Sequence, residues 1–275
     1  MRIYYKSGYS GEEINLVAYP FKMVTGTFLN YNWSYSTRNR RIVGFNRDVA
    51  ERQFTLFVYG STAVEYAANW KRLHDIFDRD VVEMTPGKLY FGDYYLTIYI
   101  FSNEKTKWER GLYRCQNIFT AVTDKACWYR DKVIEYYPLE DDEQGSGWLD
   151  FTFDFPFDFM APVHGVTTLN NDVVLPAEFR LLIYGPAANP YISVGGHIYR
   201  VYTTVNAGEL LIIDSRDRTV IRRLSTGTEI NEFNNRDKDS SIFAQIPAGS
   251  SQLIWPGTFG MNLTLYQERS EPEWN

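Results

Sequence analysis

The sequence predicts a mainly β protein of two domains, and three observations carry that prediction. Its 275 residues include 21 Tyr, 18 Phe and 7 Trp, and aromatic side chains favour the pleated, half-buried surface of a sheet. Apolar residues alternate with polar ones in short runs broken by Gly, Pro and Asn, the period-two pattern of strands. Helical spacing occurs once. The stretch LEDDEQGSG at 139–147 joins an acidic run to Gly and Ser, a composition that solvates well and packs poorly. We therefore expect an N-terminal domain over 1–139, a linker over 140–147 and a C-terminal domain over 148–275.

Within residues 1–60 the short runs lead to a strand in which Phe54, Leu56 and Val58 share one face and Thr55, Phe57 and Tyr59 the other. Thr62-Ala63-Val64-Glu65 then fits a capping box. In that motif the Thr hydroxyl and the Glu carboxylate each satisfy a backbone N–H that the first helical turn leaves without a partner. Ala63, Ala67, Trp70, Leu73 and Phe77 follow at helical spacing, with Lys71, Arg72, Asp75 and Asp78 outward. One amphipathic helix over 62–78 should therefore pack on the N-terminal sheet. A hairpin over 88–91 and 94–101 turns at Gly92-Asp93, with Leu96, Ile98 and Ile100 inward. The charged stretch 103–111 reads as an exposed loop, and 112–122 as a further strand. Beyond the linker every element reads as β, first at 148–155 and 178–184. Three turn-flanked pairs follow: 191–194 with 197–205 about Gly195-Gly196, 210–213 with 219–223, and 251–255 with 259–266 about Pro256-Gly257. Short strands at such intervals predict an antiparallel sandwich.

The net charge of −6 argues against broad affinity for nucleic acid or anionic membrane, since both need a basic patch. Arg38, Arg40 and Arg41 form one small basic cluster, with Arg47 and Arg52 nearby; it reads as a solvated loop, or as a contact for an acidic neighbour in an assembly. No apolar run approaches the ~18 residues of a membrane span. The start MRIYYK lacks a signal-type apolar core, so synthesis in a cytosol is expected. Cys115 and Cys127 fit reduced thiols better than a disulfide framework. The sequons at Asn32 and Asn262 carry no weight without a secretory route.

No group of residues assembles recognisable chemistry. His74, His164 and His197 are scattered, and none has metal-ligand spacing; each reads as a polar surface or rim residue. No G-x-S-x-G elbow occurs, although catalytic triads assemble in space and sequence alone leaves that class open. Gly195-Gly196 precedes a strand, so it lacks the helix N-terminus that binds phosphate. The two cysteines have no second pair to complete a zinc site. In DFTFDFPFDF at 150–159, Asp150, Asp154 and Asp158 lie at spacing four, which invites comparison with calcium ligands or a glycosidase pair. On a strand, however, Asp150 and Asp154 share one face and the Phe residues the other, and Pro156 stops the ladder. That is an amphipathic strand running into a turn. We expect no catalytic residue, no metal and no cofactor.

DFPFDF at 154–159, opening a β domain after an acidic linker, is similar to the distal tail (Dit) family of siphophages that infect Gram-positive bacteria. ANPY at 188–191 before the Gly-Gly hairpin, GELLIID at 208–214, IPAGS at 246–250, WPG at 255–257 and ERSEPEW at 268–274 also match. So does the N-terminal order of sheet, single helix and hairpin. The resemblance spans nearly the whole chain, and the order of these short motifs is its stronger signal. It implies an N-terminal, tail-tube-like β-sandwich domain with one α-helix that forms a hexameric ring. It also implies a galectin-like C-terminal antiparallel β-sandwich facing outward. The implied partners are further copies of the chain, the tail tube protein, a tail-associated lysin or tail-tip protein, and receptor-binding or fibre proteins. The implied place is the distal end of a virion tail, with DNA only in passage and no membrane insertion. A closed ring uses two different patches per protomer and buried aromatic anchors, which the aromatic excess suits. Negative charge at a channel rim would repel passing DNA. At 275 residues the chain has no room for an inserted carbohydrate module. Two other readings stay open. One is a carbohydrate-binding β-sandwich stacking sugars on Trp148, Tyr191 or Trp255; the other is a glycan hydrolase using Asp154 and Asp158.

Overall fold

A computed structural model describes residues 2–109, 111–139 and 165–273. The expected linker over 140–147, the strand over 148–155 and the DFPFDF motif lie outside the described residues, and with them Trp148, Asp150, Asp154, Asp158 and His164. The chain divides into two compact units, Met1–Arg130 with Glu268–Asn275, and Asp131–Gln267. Both are antiparallel and mainly β, as the sequence predicts.

The first unit contains β1 (Ile3–Lys6), β2 (Glu13–Asn15), β3 (Phe21–Gly26), β4 (Ser34–Arg38), β5 (Arg41–Asn46) and β6 (Ala50–Tyr59), followed by helix α1 (Ala63–Val82). After these come β7 (Gly87–Phe91), β8 (Tyr94–Trp108), β9 (Arg114–Thr123) and the start of β10 (Trp128–Tyr136). One ladder runs β2-β1-β7-β8, and a second joins β3, β6, β9 and β8. Strand β8 thus serves both, pairing with β7 through Ile98 and with β9 from Tyr99 onward. The residues expected to face inward do so: Phe54, Leu56, Val58, Leu96, Ile98 and Ile100 are all buried. The stretch expected as a loop is strand as far as Trp108, paired with β9 by Lys105↔Asn117 and Trp108↔Cys115. Most of its side chains remain exposed. Its order comes from backbone pairing, which leaves no apolar period to read.

Helix α1 starts where the capping box places it. Thr62 Oγ1 accepts from the Glu65 N–H at 3.2 Å. The Glu65 carboxylate reaches one residue further back than expected, accepting from the Ser61 N–H at 2.8 Å, and also takes the Tyr19 hydroxyl at 2.6 Å. The helix runs four residues beyond 78, and its buried face is Leu73, Ile76, Phe77 and Asp80. Ala63 and Ala67 are exposed instead. Phe77 meets Tyr5 edge-on at 5.1 Å and Phe119 at 5.7 Å, which ties the helix to strands from both ladders.

The second unit holds β11 (Gly165–Asn171), β12 (Glu178–Tyr184), β13 (Ala187–Ala188), β14 (Tyr191–Val194), β15 (His197–Arg200) and β16 (Thr204–Val205). It continues with β17 (Leu210–Asp214), β18 (Thr219–Arg223), β19 (Glu229–Asn231), β20 (Gly249–Trp255) and most of β21 (Met261–Arg269). One sheet runs β19-β18-β17-β12-β21 and the other β11-β20-β14-β15. A single core fills the space between them: Leu181, Ile183, Leu211, Ile213, Leu263 and Leu265 from the first, and Leu169, Ile192, Val194, Tyr199 and Leu253 from the second. The runs expected on either side of Pro256-Gly257 are β20 and β21, which pair in different sheets. The intervening turn carries the chain across the sandwich, with Gly257 at φ 81°.

Buried and half-buried phenols set an alkaline limit on stability. Burial raises the pKa of Tyr5, Tyr199 and Tyr266 far above the ordinary tyrosine value, with Asp80 adding to Tyr5 and Asp214 to Tyr266. A raised folded pKa favours the neutral form when folded, so this contribution is complete below the unfolded value of about 10 and is lost as pH rises past it. Urea midpoints should hold from neutrality to about pH 9 and fall beyond about pH 10. A midpoint that rises above about pH 11 would contradict this.

Candidate functional site

Those of the residues singled out for chemistry that lie among the described residues are held in structural roles. His74 lies on α1 with its ring stacked on Trp70 at 5.3 Å. His197 Nε2 bonds the Ser241 carbonyl at 2.8 Å and its ring meets Tyr199 edge-on. Cys115 and Cys127 are buried free thiols, and burial pushes both away from the reactive thiolate. Trp255 is core, packed against Tyr136 at 5.4 Å, so it offers no sugar platform. Tyr191 is half-buried beneath the Arg200 guanidinium. Two buried carboxylates share one cation in the second unit: Arg222 reaches Glu209 at 3.0 Å and Glu232 at 2.7 Å. For Glu209, hydrogen bonds from Asn206 and then Arg222 lower the pKa. For Glu232, burial works upward, but bonds from Arg222, Asn235 and Thr203 outweigh it. Both are ionised counter-charges, the opposite of a proton-donating acid. Among the described residues no three His, Cys, Asp or Glu side chains converge on a metal-sized point, and no helix is long and apolar enough to cross a membrane.

The basic cluster divides. Arg38 and Arg41 pair across the end of the β4–β5 hairpin, and Asn39 and Arg40 form its turn at φ 50° and 60°. Arg47 has left the cluster: its side chain is only 3% exposed, lies over the Trp33 ring at 4.4 Å and donates to Ser270 Oγ at 3.0 Å. Arg52 is half-buried on β6.

The β4–β5 hairpin is the surface that sequence reasoning missed. It forms a two-stranded ladder of its own, and isolated two-stranded hairpins are marginal in water. Tyr35 and Phe45 sit directly opposite each other and are 64% and 58% exposed, with Tyr31, Ile42 and Val43 similarly open. Adjacent apolar side chains at such exposure mark an interaction surface more often than chance. Its tip opposes like charges, Arg38 across from Arg41, at a local cost that an acidic partner would relieve. A signal was present in the sequence: apolar residues on both sides of Arg38–Arg41 that join no core pattern.

Neither a protein-family model nor a curated protein sequence matches the chain. Solved structures do. The Dit protein of phage SPP1, described as a paradigm of the hub adsorption apparatus in phages infecting Gram-positive bacteria, aligns over 97% of this chain and 99% of its own. Its TM-score is 0.61 at 10% identity. The chain has the fold of a Dit hub protein. A chain of the phage P2 baseplate, in its activated conformation with calcium, aligns over 99% of this chain and 100% of its own, with a TM-score of 0.62 at 12% identity. The strontium form gives 98% and 99%, a TM-score of 0.63 and 11% identity. The Dit fold is therefore matched end to end, through both units, at an identity where the likeness is one of architecture.

Proposed function

We propose that this chain is a structural subunit of a phage tail tip, a hub that closes into a hexameric ring and joins the tail tube to tail-tip and receptor-binding or fibre proteins. The observation that carries the reading is the end-to-end match to the Dit fold. The role is structural, DNA meets the hub only in passage, and the place is the distal end of the virion tail. Ring contacts fall to the first unit, and we assign one of the two patches that a cyclic interface needs to the β4–β5 hairpin. Its exposed Tyr35 and Phe45 supply aromatic anchors of the kind that dominate interfaces, and its three arginines suit an acidic neighbour in a chain of net charge −6. Light scattering and negative-stain images of the purified chain should show a ring. The double variant Tyr35→Asp, Phe45→Asp should keep its fold, because both rings are already in solvent, and shift to monomer. A wild-type chain that stays monomeric at high concentration, with tail tube protein present, would sink the proposal. Rings from the double variant would remove the hairpin from the interface.

A further inference from the structure

The second unit carries a groove of about 370 Å³ whose walls are aromatic and whose polar groups include the Glu135 carboxylate and the Asn262 amide. Tyr136 follows from β10 into its floor, held against Trp255. Tyr137 and Tyr184 rise at its sides, 71% and 40% exposed. Glu135, Phe259 and Asn262 complete the lining that matters here. The Tyr137 hydroxyl donates to Glu135 Oε2 at 2.8 Å, and its ring stays open to solvent. That bond, followed by the charge of Glu135, raises the Tyr137 pKa, and the Tyr184 phenol is near enough to add to it. Apolar walls with a few convergent polar groups are the usual make-up of a small-ligand site.

We propose that this groove is a saccharide subsite that takes a neutral hexopyranose, stacked on Tyr137 and Tyr184 and hydrogen-bonded through its hydroxyls to Glu135 and Asn262. The C–H face of a pyranose presents weakly positive hydrogens to the negative face of an aromatic ring. Glu135 is exposed and has lone pairs beyond the one that accepts from Tyr137, and sugar hydroxyls can donate to them in place of water. A polyproline segment, the other common occupant of aromatic grooves, lacks backbone N–H groups and brings no donor of its own to that carboxylate. No Lys or Arg among the described residues lines the groove, and Glu135 repels anions, so acidic sugars are disfavoured. The subsite adds a ligand to the hub role and does not depend on ring closure, which light scattering reads separately.

Saturation-transfer NMR on the full chain tests the subsite, with glucose, galactose, N-acetylglucosamine and rhamnose as probes, and N-acetylneuraminic acid and a polyproline peptide as counter-probes. At least one neutral sugar should receive transfer, and Tyr137→Ala and Tyr184→Ala should each weaken it about tenfold, the size of one aromatic contact. Tyr137→Phe, which keeps the ring, should lose less. Thermal midpoints of the variants should match wild type; if Y184A unfolds, Y137A, at the more exposed position, decides alone. No transfer to any neutral sugar, response to the counter-probes only, or wild-type binding by Y137A would each overturn the proposal.

Discussion

Asp80→Ala should destabilise the first unit by about 4 kcal/mol, a loss read as a lowered urea or thermal midpoint. The Asp80 carboxylate is 0% exposed in the last turns of α1, where the helix dipole opposes negative charge. It is held there by three donors from the β1 end of the chain. Tyr5 donates its hydroxyl at 2.7 Å, Ser7 its hydroxyl at 2.6 Å and Tyr9 its backbone N–H at 3.0 Å. Removing the carboxylate leaves the two buried hydroxyls without an acceptor, and each such group costs about 1–3 kcal/mol. Asp80→Asn keeps one acceptor oxygen and adds an amide that needs its own partner, so it should recover about half. Gly87 offers an independent check. A Cβ at Gly87 would lie 2.0 Å from the Tyr5 hydroxyl, so Gly87→Ala should push the same ring off Asp80 and cost a comparable amount. Combined with Asp80→Ala it should add less than it costs alone, because both disturb the Tyr5–Asp80 contact. A loss under about 1 kcal/mol for Asp80→Ala would show that the lock is dispensable.

Where a periodic face meets a core, the sequence is easy to read. Leu73 and Phe77, Phe54 to Val58, and the Gly92-Asp93 hairpin all lie where alternation or helical spacing places them, and strands such as β12, β14 and β18 match their expected limits. Asp80 breaks the pattern: a charged residue on the apolar face of a helix carries no sign in sequence of the hydroxyls that will meet it 73 and 75 positions away. The end of β8 is hidden for the opposite reason, since its order rests on main-chain pairing with β9 and its side chains stay wet. The crossover at Pro256-Gly257 reads only as a turn because turn chemistry is local, whereas the choice of sheet is made by distant partners. The tyrosine groove depends on Tyr137, Tyr184 and Asn262 meeting from three strands or their ends, which no spacing rule records. The Dit resemblance could be read from motif order, yet the exposed apolar β4–β5 hairpin that we propose for assembly lay outside every motif that carried it.

Gly185→Ala should cost the second unit about 3 kcal/mol, at the upper end of what overpacking usually costs. The obstacle is main chain: a Cβ there would sit 1.9 Å from the Asn206 carbonyl oxygen and 2.8 Å from that of Val205. A flexible side chain could swing away, but this loop is fastened on several sides. Gly185 N–H donates to the Glu209 carbonyl at 3.1 Å, and the Glu209 N–H to that of Asn206 at 3.0 Å. Val205 pairs with Ala187, and the Glu209 carboxylate accepts from the Asn206 N–H and from Arg222. Gly227 provides the contrast. It has φ 87°, and a methyl group added there would meet nothing within 4 Å, so Gly227→Ala should cost only the conformational strain of about 1 kcal/mol. Denaturant midpoints that place the two variants level would mean the 205–209 loop can retreat. Because Gly185 joins Tyr184 to Pro186 along the groove, the displacement that relieves the clash must also move a wall of the proposed saccharide subsite. Gly185→Ala should therefore weaken sugar binding in protein that is still folded, while Gly227→Ala should leave it at the wild-type level.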